Sequence, residues 1–362
     1  MSYDAILLTS FGGPEGPDEV MPYLERVTAG RGVPHERLVE VSHHYLALGG
    51  VSPINSQNRA LLAALRERLP ERGVEIPIYL GNRNSEPYFA DVLTQMHNDG
   101  HRKVLAWVTS AYSSYSGCRQ YRENLAQALT VSELEGKMTI DKVRHYFDHP
   151  GFLAPIIEDM NKALGRLADK GIASADIKVM FATHSIPDSM GESSGPPGVR
   201  EGFEKPGGTY AAQHLAAATL AMAGLSEQDD LPSWELVYQS RSGLPSVPWL
   251  EPDVNDAIQT AKDAGKKAIV IVPIGFVSDH VEVIWDLDNE AKETCDELGL
   301  EFERVATSGT HSAFVEGIID LIQERTDGLE AKALSPLGPW PSFCNPNCCP
   351  NLRKTLPVIA EG

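Results

Sequence analysis

Positive charge is scarce in this sequence. Thirty-one Lys and Arg face 50 Asp and Glu, for a formal net charge of -19 at pH 7. A surface that acidic repels phosphate backbones and concentrates cations, so nucleic acid is not an expected partner. Long apolar runs are missing too. The longest, around AIVIVPIGFV, falls far short of the roughly 18 residues that span a bilayer, and no stable membrane anchor is expected. The opening MSYDAILLTS has no basic region ahead of an apolar core, so the chain reads as cytoplasmic, without a signal peptide. Five cysteines, an odd number in a reducing compartment, are weak grounds for disulfides. Both nucleotide fingerprints are absent as well. The turn FGGPEGP has neither G-x-G-x-x-G nor G-K-[ST], and Pro14 and Pro17 remove N–H donors that a phosphate cradle uses. It reads instead as a close approach to a ligand of another shape.

What is present is alternation. With 362 residues, 42% of them hydrophobic, the chain exceeds what one core usually supports, and two domains are expected. Short β-rich runs fall near 3–9, 76–80, 103–109, 138–143, 177–183, 234–239, 267–273 and 301–305. Helical patterns lie between them, at 55–69, 86–99, 120–129, 152–169, 209–224, 253–264, 282–298 and 312–325. Near-continuous apolar strands separated by helices predict parallel sheets covered on both faces. The expected fold class is α/β: two doubly wound domains over 1–148 and 149–325, then a cysteine-bearing extension over 326–362. ILLTSFGGP and VMFATHSIP read as the opening strand and turn of each half.

Ligands of such sheets bind beyond the carboxyl ends of the strands. SFGGPEGP, THSIP and GFVSDHVE all fall there, and a cleft between the halves would bring His184 to face Glu282. The stretch DHVEVIWDLDNE sharpens the expectation. At about 100° per residue, Glu282, Asp286 and Glu290 share a stripe roughly 80° wide, while Val281, Val283, Ile284, Trp285 and Leu287 fill most of the rest. Like charges four residues apart cost about 0.2–0.5 kcal/mol per pair, a cost that a bound cation would offset. The same residues also fit a plain helix start, with Asp279 as N-cap, Glu282 as its capping-box partner and the later acids solvated.

FCNPNCCPN places Cys344, Cys348 and Cys349 within six residues, and Pro346 and Pro350 keep the segment out of helix and sheet. Thiols on an irregular loop suit metal ligation. Cys118, in the Ser/Gly-rich AYSSYSGCRQY, is the better candidate for a fourth ligand, because Cys295 lies in the 282–298 helix and reads as packing. Zinc and iron–sulfur clusters both accept four thiolates.

Together, VPIGFVSDHVEVIWDLDNE, FATHSIPDSM, GGVSPIN and YQSRSGLPSVPWLEPD resemble the ferrochelatase family, and within it the coproporphyrin ferrochelatases of the Gram-positive branch. The resemblance runs from ILLTSFGGPE to about residue 325. It implies two Rossmann-like domains with a porphyrin cleft between them, and insertion of Fe(II) into the macrocycle. By the resemblance, His184 and Glu282 are the catalytic pair at the metal, and Asp286 and Glu290 line a metal path. Ser52, Tyr121, His44, Tyr45 and Phe11 stand at porphyrin-contact positions. Phe11 replaces a tyrosine of many members and brings no ligating oxygen to the opposite face of the metal. The cysteine segment resembles extensions that hold a two-iron, two-sulfur (2Fe-2S) cluster, with ligands implied at Cys118, Cys344, Cys348 and Cys349. The vicinal Cys348–Cys349 pair departs from the better known spacing. Coproporphyrin III, with four propionates, suits a chain that shows no apolar lip for drawing substrate from a bilayer, and a monomer is expected. The alternatives are a chelatase for protoporphyrin or another tetrapyrrole or metal and, from a different class, a non-catalytic iron–sulfur or haem-binding sensor.

Overall fold

The strand β1 (Ala5–Ser10) is buried along its whole length, so its place is inside a sheet. In the computed structural model, which describes residues 3–30, 32–225, 230–242, 246–345 and 347–360, β1 lies between β2 (Ile78–Asn82) and β3 (Lys103–Val108), with β4 (Thr139–Lys142) outside β3. All pairings are parallel, and the register sets Leu7 against Tyr79 on one side and Ala106 on the other. The helices α1 (Pro17–Thr28), α2 (His35–Ala47) and α3 (Pro53–Glu71) separate β1 from β2, α4 (Phe89–Asn98) precedes β3, and α5 (Gln120–Val131) precedes β4.

The second half repeats the plan. Here α6 (Pro150–Asp169) leads into β5 (Ile177–His184), then α7 (Asp188–Glu192), α8 (Gly208–Ala223), β6 (Ser233–Gln239), α9 (Val254–Asp263) and β7 (Ala268–Val272). A helical stretch from α10 (Val281–Val283) to α11 (Ala291–Glu297) precedes β8 (Glu301–Arg304), and α12 (Ser312–Thr326) follows. The sheet orders are β2-β1-β3-β4 and β6-β5-β7-β8. ILLTSFGGP and VMFATHSIP therefore occupy equivalent places, each strand second in its sheet with its carboxyl end toward the loops that carry chemistry. This is the expected doubly wound α/β architecture.

Two features depart from the sequence reading. It contained neither α1 nor α2. Pro22 stands inside α1 and deletes one backbone bond there, and α2 opens straight after Pro34, so prolines mask both helices. The halves also share one core: Ile6, Leu8 and Trp107 belong to the same buried cluster as Phe181, Val270 and Phe314. The helix α12 packs on α6 and also on α3 of the first half, where Glu316 pairs with Arg68 and Arg72. Beyond α12 the described residues contain no helix, only an isolated bridge at Cys344, although Trp340 is buried in the shared core. Pro346 of the cysteine segment and residues 243–245 of YQSRSGLPSVPWLEPD lie outside the described residues. No described helix is long and apolar enough to cross a membrane.

Two close approaches of backbone fix how neighbouring elements sit. The turn after β1 is clasped from both sides: a Cβ at Gly13 would sit 2.5 Å from Ser52 Cβ, and one at Gly12 would meet Ser85. At the crossing of α6 and α12, a Cβ at Gly151 would lie 2.5 Å from the carbonyl oxygen of Ala313 and 2.8 Å from Gly317 Cα. Helix propensity alone favours alanine over glycine by about 1 kcal/mol. Gly151→Ala should nevertheless destabilise the protein, by roughly 1–3 kcal/mol, because the nearest atoms are backbone and cannot step aside. A urea midpoint at or above that of the parent would contradict this close approach.

Candidate active site

His184 is the last residue of β5, and its backbone is fixed on three sides. Its carbonyl accepts from the Tyr210 hydroxyl at 2.9 Å, the next N–H donates to Gln239 O at 2.8 Å, and Ser185 Oγ donates to Leu250 O at 2.8 Å. The imidazole Nδ1 meets the carbonyl oxygen of Ser185. A carbonyl only accepts, so Nδ1 carries the proton, and in the neutral ring Nε2 is left with a free lone pair. Nε2 lies 3.7 Å from Glu282 Oε2, with the two side chains 34% and 43% exposed, open enough for a ligand to reach both.

The helix that carries Glu282 begins at Val281. His280 is its N-cap residue and makes no side-chain capping bond. The Asp279 carboxylate turns away and takes Arg304 and the Thr307 hydroxyl, so the capping-box reading of Asp279 and Glu282 does not describe this helix. Its acids divide into two groups. Asp279 and Asp288 share Arg304, whereas Glu282, Asp286 and Glu290 have no Lys or Arg partner among the described residues. Burial pushes the Asp286 carboxyl up to about 7; donors from Ser240 and Gln239 pull it the other way, and Glu282 and Glu290 raise it further.

The reading expected a regular α-helix over 282–298. Residues Ile284–Glu290 are instead π-helical, and the N–H of Ala291 bonds back to Asp286 O, five residues earlier. Glu282 and Glu290 both stay near enough to Asp286 to raise its carboxyl by charge.

Around this row stand groups from the first half. The His44 ring stacks on Trp285, with centroids 4.3 Å apart and planes 9° from parallel, while Trp285 Nε1 donates to Glu290 Oε1 at 2.9 Å. Tyr45 packs with Tyr23, Leu38 and Val281, and Phe11 lies at the margin of that cluster. Burial holds the Tyr45 and Tyr23 phenols well above their usual range, and the charge of Glu282 adds to it. Ser52 is the N-cap residue of α3, buried against the β1 turn. Along α3, Asn58 donates to Ser10 and accepts from Ser278, and Gln57 accepts from the N–H of Asp279 at 2.8 Å, so the turn after β1 and the helix of Glu282 are tied together. Tyr121 sits further off, on α5. Among the described residues no hydrogen bond or ion pair joins Ser52 or Tyr121 to His184 or Glu282.

Between Phe11 and Tyr121 lies a residue that the sequence reading missed. The Arg83 guanidinium stands 5.0 Å from the Phe11 ring centroid and 4.6 Å from that of Tyr121, and Nε donates to Asn124 Oδ1 at 2.9 Å. It follows β2, at the carboxyl end of a strand, where the binding rule for such sheets would have pointed.

Elsewhere, Cys118, Cys344, Cys348 and Cys349 form one buried cluster, while Cys295 is buried in the core of the second half. Cys118 lies in a π-helical turn, Tyr115–Arg119, ahead of α5. Cys348 Sγ donates to Cys349 Sγ at 3.9 Å, and the close approach of Cys118 and Cys348 favours the Cys344 thiolate and pushes their own thiols up. The N–H of Gly195 donates to Cys349 Sγ at 3.1 Å. No group of three or more His, Cys, Asp or Glu among the described residues is arranged to hold a metal ion as it stands. Four buried, mutually contacting thiols, one with an amide aimed at its sulfur, nevertheless suit a thiolate-ligated group.

A family model described as ferrochelatase matches residues 3–326. The chain belongs to the ferrochelatase family. Among its relatives, the coproporphyrin III ferrochelatase of Leifsonia xyli subsp. xyli is 52% identical over 370 residues, covering 100% of this chain and 95% of that protein. The coproporphyrin III ferrochelatase of Streptomyces griseus is 50% identical, covering 99% and 96%, and that of Tropheryma whipplei 48%, covering 97% and 90%. The solved structure of SirB from Bacillus subtilis with Fe3+ matches with TM-score 0.51 at 10% identity, over 91% of this chain and 100% of that one. At that identity the likeness concerns the fold alone. For this ferrochelatase-family chain, the uncompensated acids are a cost to folding.

A carboxyl raised in the fold costs nothing below its unfolded value near pH 4, and destabilises the folded state increasingly as pH climbs toward about 7. Asp286→Asn should therefore stabilise the protein by roughly 1–3 kcal/mol above pH 7 and have almost no effect near pH 4. Thermal unfolding at the two pH values checks this; equal shifts at both would contradict it.

Proposed function

We propose that this chain is a coproporphyrin III ferrochelatase that inserts Fe(II) into coproporphyrin III, releases two protons and acts as a cytoplasmic monomer. The observation that carries the reading is the His184 lone pair set opposite Glu282, at the head of a carboxylate row with no Lys or Arg partner among the described residues. The names of the relatives, coproporphyrin III ferrochelatase at about half identity over nearly the full chain, support the choice of porphyrin.

Metalation requires two pyrrole N–H protons to leave and a hydrated Fe(II) to shed water beside a flat apolar ring. Nε2 of His184 is the base: its partner nitrogen is committed to Ser185, so each ring proton arrives at one defined atom. Glu282 takes the proton onward or meets the incoming iron. Asp286, poised near 7, exchanges a proton at neutral pH without a large penalty in either direction. Carboxylates release a borderline cation readily, which suits the row of Glu282, Asp286 and Glu290 to delivery. On the opposite side Phe11 offers the ring an apolar face without a ligating atom. Ser52, His44, Tyr45 and Tyr121 would contact the macrocycle and its propionates, with Arg83 as a fixed cation for a carboxylate.

Cys118, Cys344, Cys348 and Cys349 would hold a 2Fe-2S cluster. Bound there, it supplies a one-electron redox centre and a cross-link. Metalation needs no net electron transfer, so the four cysteines serve to fasten the extension onto the start of α5 or to report on iron and redox state.

Anaerobic absorbance assays test the enzyme. The parent should consume Fe(II) with coproporphyrin III in preference to protoporphyrin. His184→Ala should lose at least about 100-fold in turnover while still binding the porphyrin. Substantial turnover in that variant removes His184 from its role, and porphyrin binding by the parent without iron uptake favours a sensor. Cys348→Ser should abolish the visible absorption of a cluster and lower the melting temperature; a colourless parent carrying zinc argues against the cluster.

A further inference from the structure

Two buried cations near the cysteines have no carboxylate partner among the described residues. Lys142, at the end of β4, is 3% exposed, and its ammonium donates only to the carbonyl of Val143, at 3.2 Å. Arg122, 1% exposed, donates through Nε to Ile359 O at 2.8 Å and through Nη2 to Ala360 O at 3.3 Å, while its Nη1 is buried without a partner. Their buried neighbours are different: Arg119 pairs with Glu123, and Arg144 with Glu324. Taking an ion out of water without a counter-ion is strongly unfavourable, so an anion is expected where Lys142 and Arg122 point.

The anion is absent from the side chains but implied by their surroundings. Lys142 and Cys118 line one small cavity, with Ser110 and His145. Arg122 lies four residues beyond Cys118, one turn along the same helical stretch. Both cations act by charge on Cys344.

We propose that Lys142 and Arg122 are the fixed counter-charges of an iron–sulfur cluster held by Cys118, Cys344, Cys348 and Cys349, and that they set its reduction potential and its retention. This rests on the cluster reading above. Two ferric ions and two sulfides carry two net positive charges and four thiolates carry four negative, so the oxidised group is a dianion matched by the two cations. One added electron reduces a ferric ion to ferrous, breaks no bond and leaves one negative charge unmatched. Removing a cation makes that electron harder to add.

The test uses the full chain, purified anaerobically, as parent, Lys142→Met and Lys142→Arg. Each is titrated with dithionite, followed by visible absorbance and electron spin resonance, and iron loss to a chelator is timed. Lys142→Met is expected to shift the potential negative by about 59 mV, a tenfold change in the oxidised-to-reduced ratio, and to lose iron several-fold faster. Lys142→Arg is expected to match the parent. An unchanged potential and loss rate in Lys142→Met overturns the proposal while leaving the cluster in place; a parent without iron and sulfide overturns both. Should Lys142→Met purify empty, the iron and sulfide content of Lys142→Arg decides: full occupancy supports the charge role, and an empty arginine variant sinks it.

Discussion

An imidazole whose Nδ1 proton is committed to the Ser185 carbonyl has one lone pair to offer, and at the end of β5 that lone pair looks toward Glu282. The rest of the site follows from this commitment. The carbonyl that fixes the tautomer belongs to a residue whose N–H and hydroxyl are both bonded to neighbouring backbone, at Gln239 and Leu250. The imidazole is therefore oriented by main chain, which moves less than a second side chain would. Beyond Glu282 a wide helical turn carries Asp286 and Glu290, and burial lets Asp286 hold its proton to near neutrality. A row of acids that burial makes unfavourable suits the proposed passage of a cation.

The two-sheet plan explains why the partners come from distant parts of the chain. In each sheet the second strand, β1 or β5, runs at its carboxyl end into a loop that carries residues of the candidate site. The first half contributes the clasped glycine turn, α1 and α2 with their aromatic faces, and Arg83. The second contributes His184 and the acidic helix. Hydrogen bonds that Asn58 and Gln57 accept from Ser278 and Asp279 in the loop after β7, together with the shared core, hold the halves in one arrangement. The cysteine-bearing segment sits apart from this chemistry, against the start of α5. The next residues of that helix, Tyr121 and Asn124, hold Arg83 from its other side, so the cysteine-bearing segment packs against the helix that positions Arg83.

Periodicity in the sequence was enough to place all eight strands, the doubly wound class and the long helices, because a strand buried on both faces must be apolar throughout and a covering helix must be apolar on one side. The motifs at strand ends named His184 and Glu282 for the same reason: in a parallel sheet those ends are where a ligand can reach. Four cysteines on loop-like segments were legible as a set, and the structure packs all four together. Other features had no local signature. Prolines hid α1 and α2, and nothing in the order of residues announces a π-turn at Ile284–Glu290. Arg83 gives no sign of being stacked between two rings. That Arg304 pairs with Asp279 and Asp288, while Glu282, Asp286 and Glu290 have no Lys or Arg partner among the described residues, is equally invisible in one dimension. Composition and spacing fix which faces must be buried and which residue types are at hand, since burial and backbone geometry act locally. Which nitrogen of His184 is free, which acids lack a cation and which buried cations lack an anion depend on partners tens to hundreds of residues away, and only the packed chain brings those partners within reach.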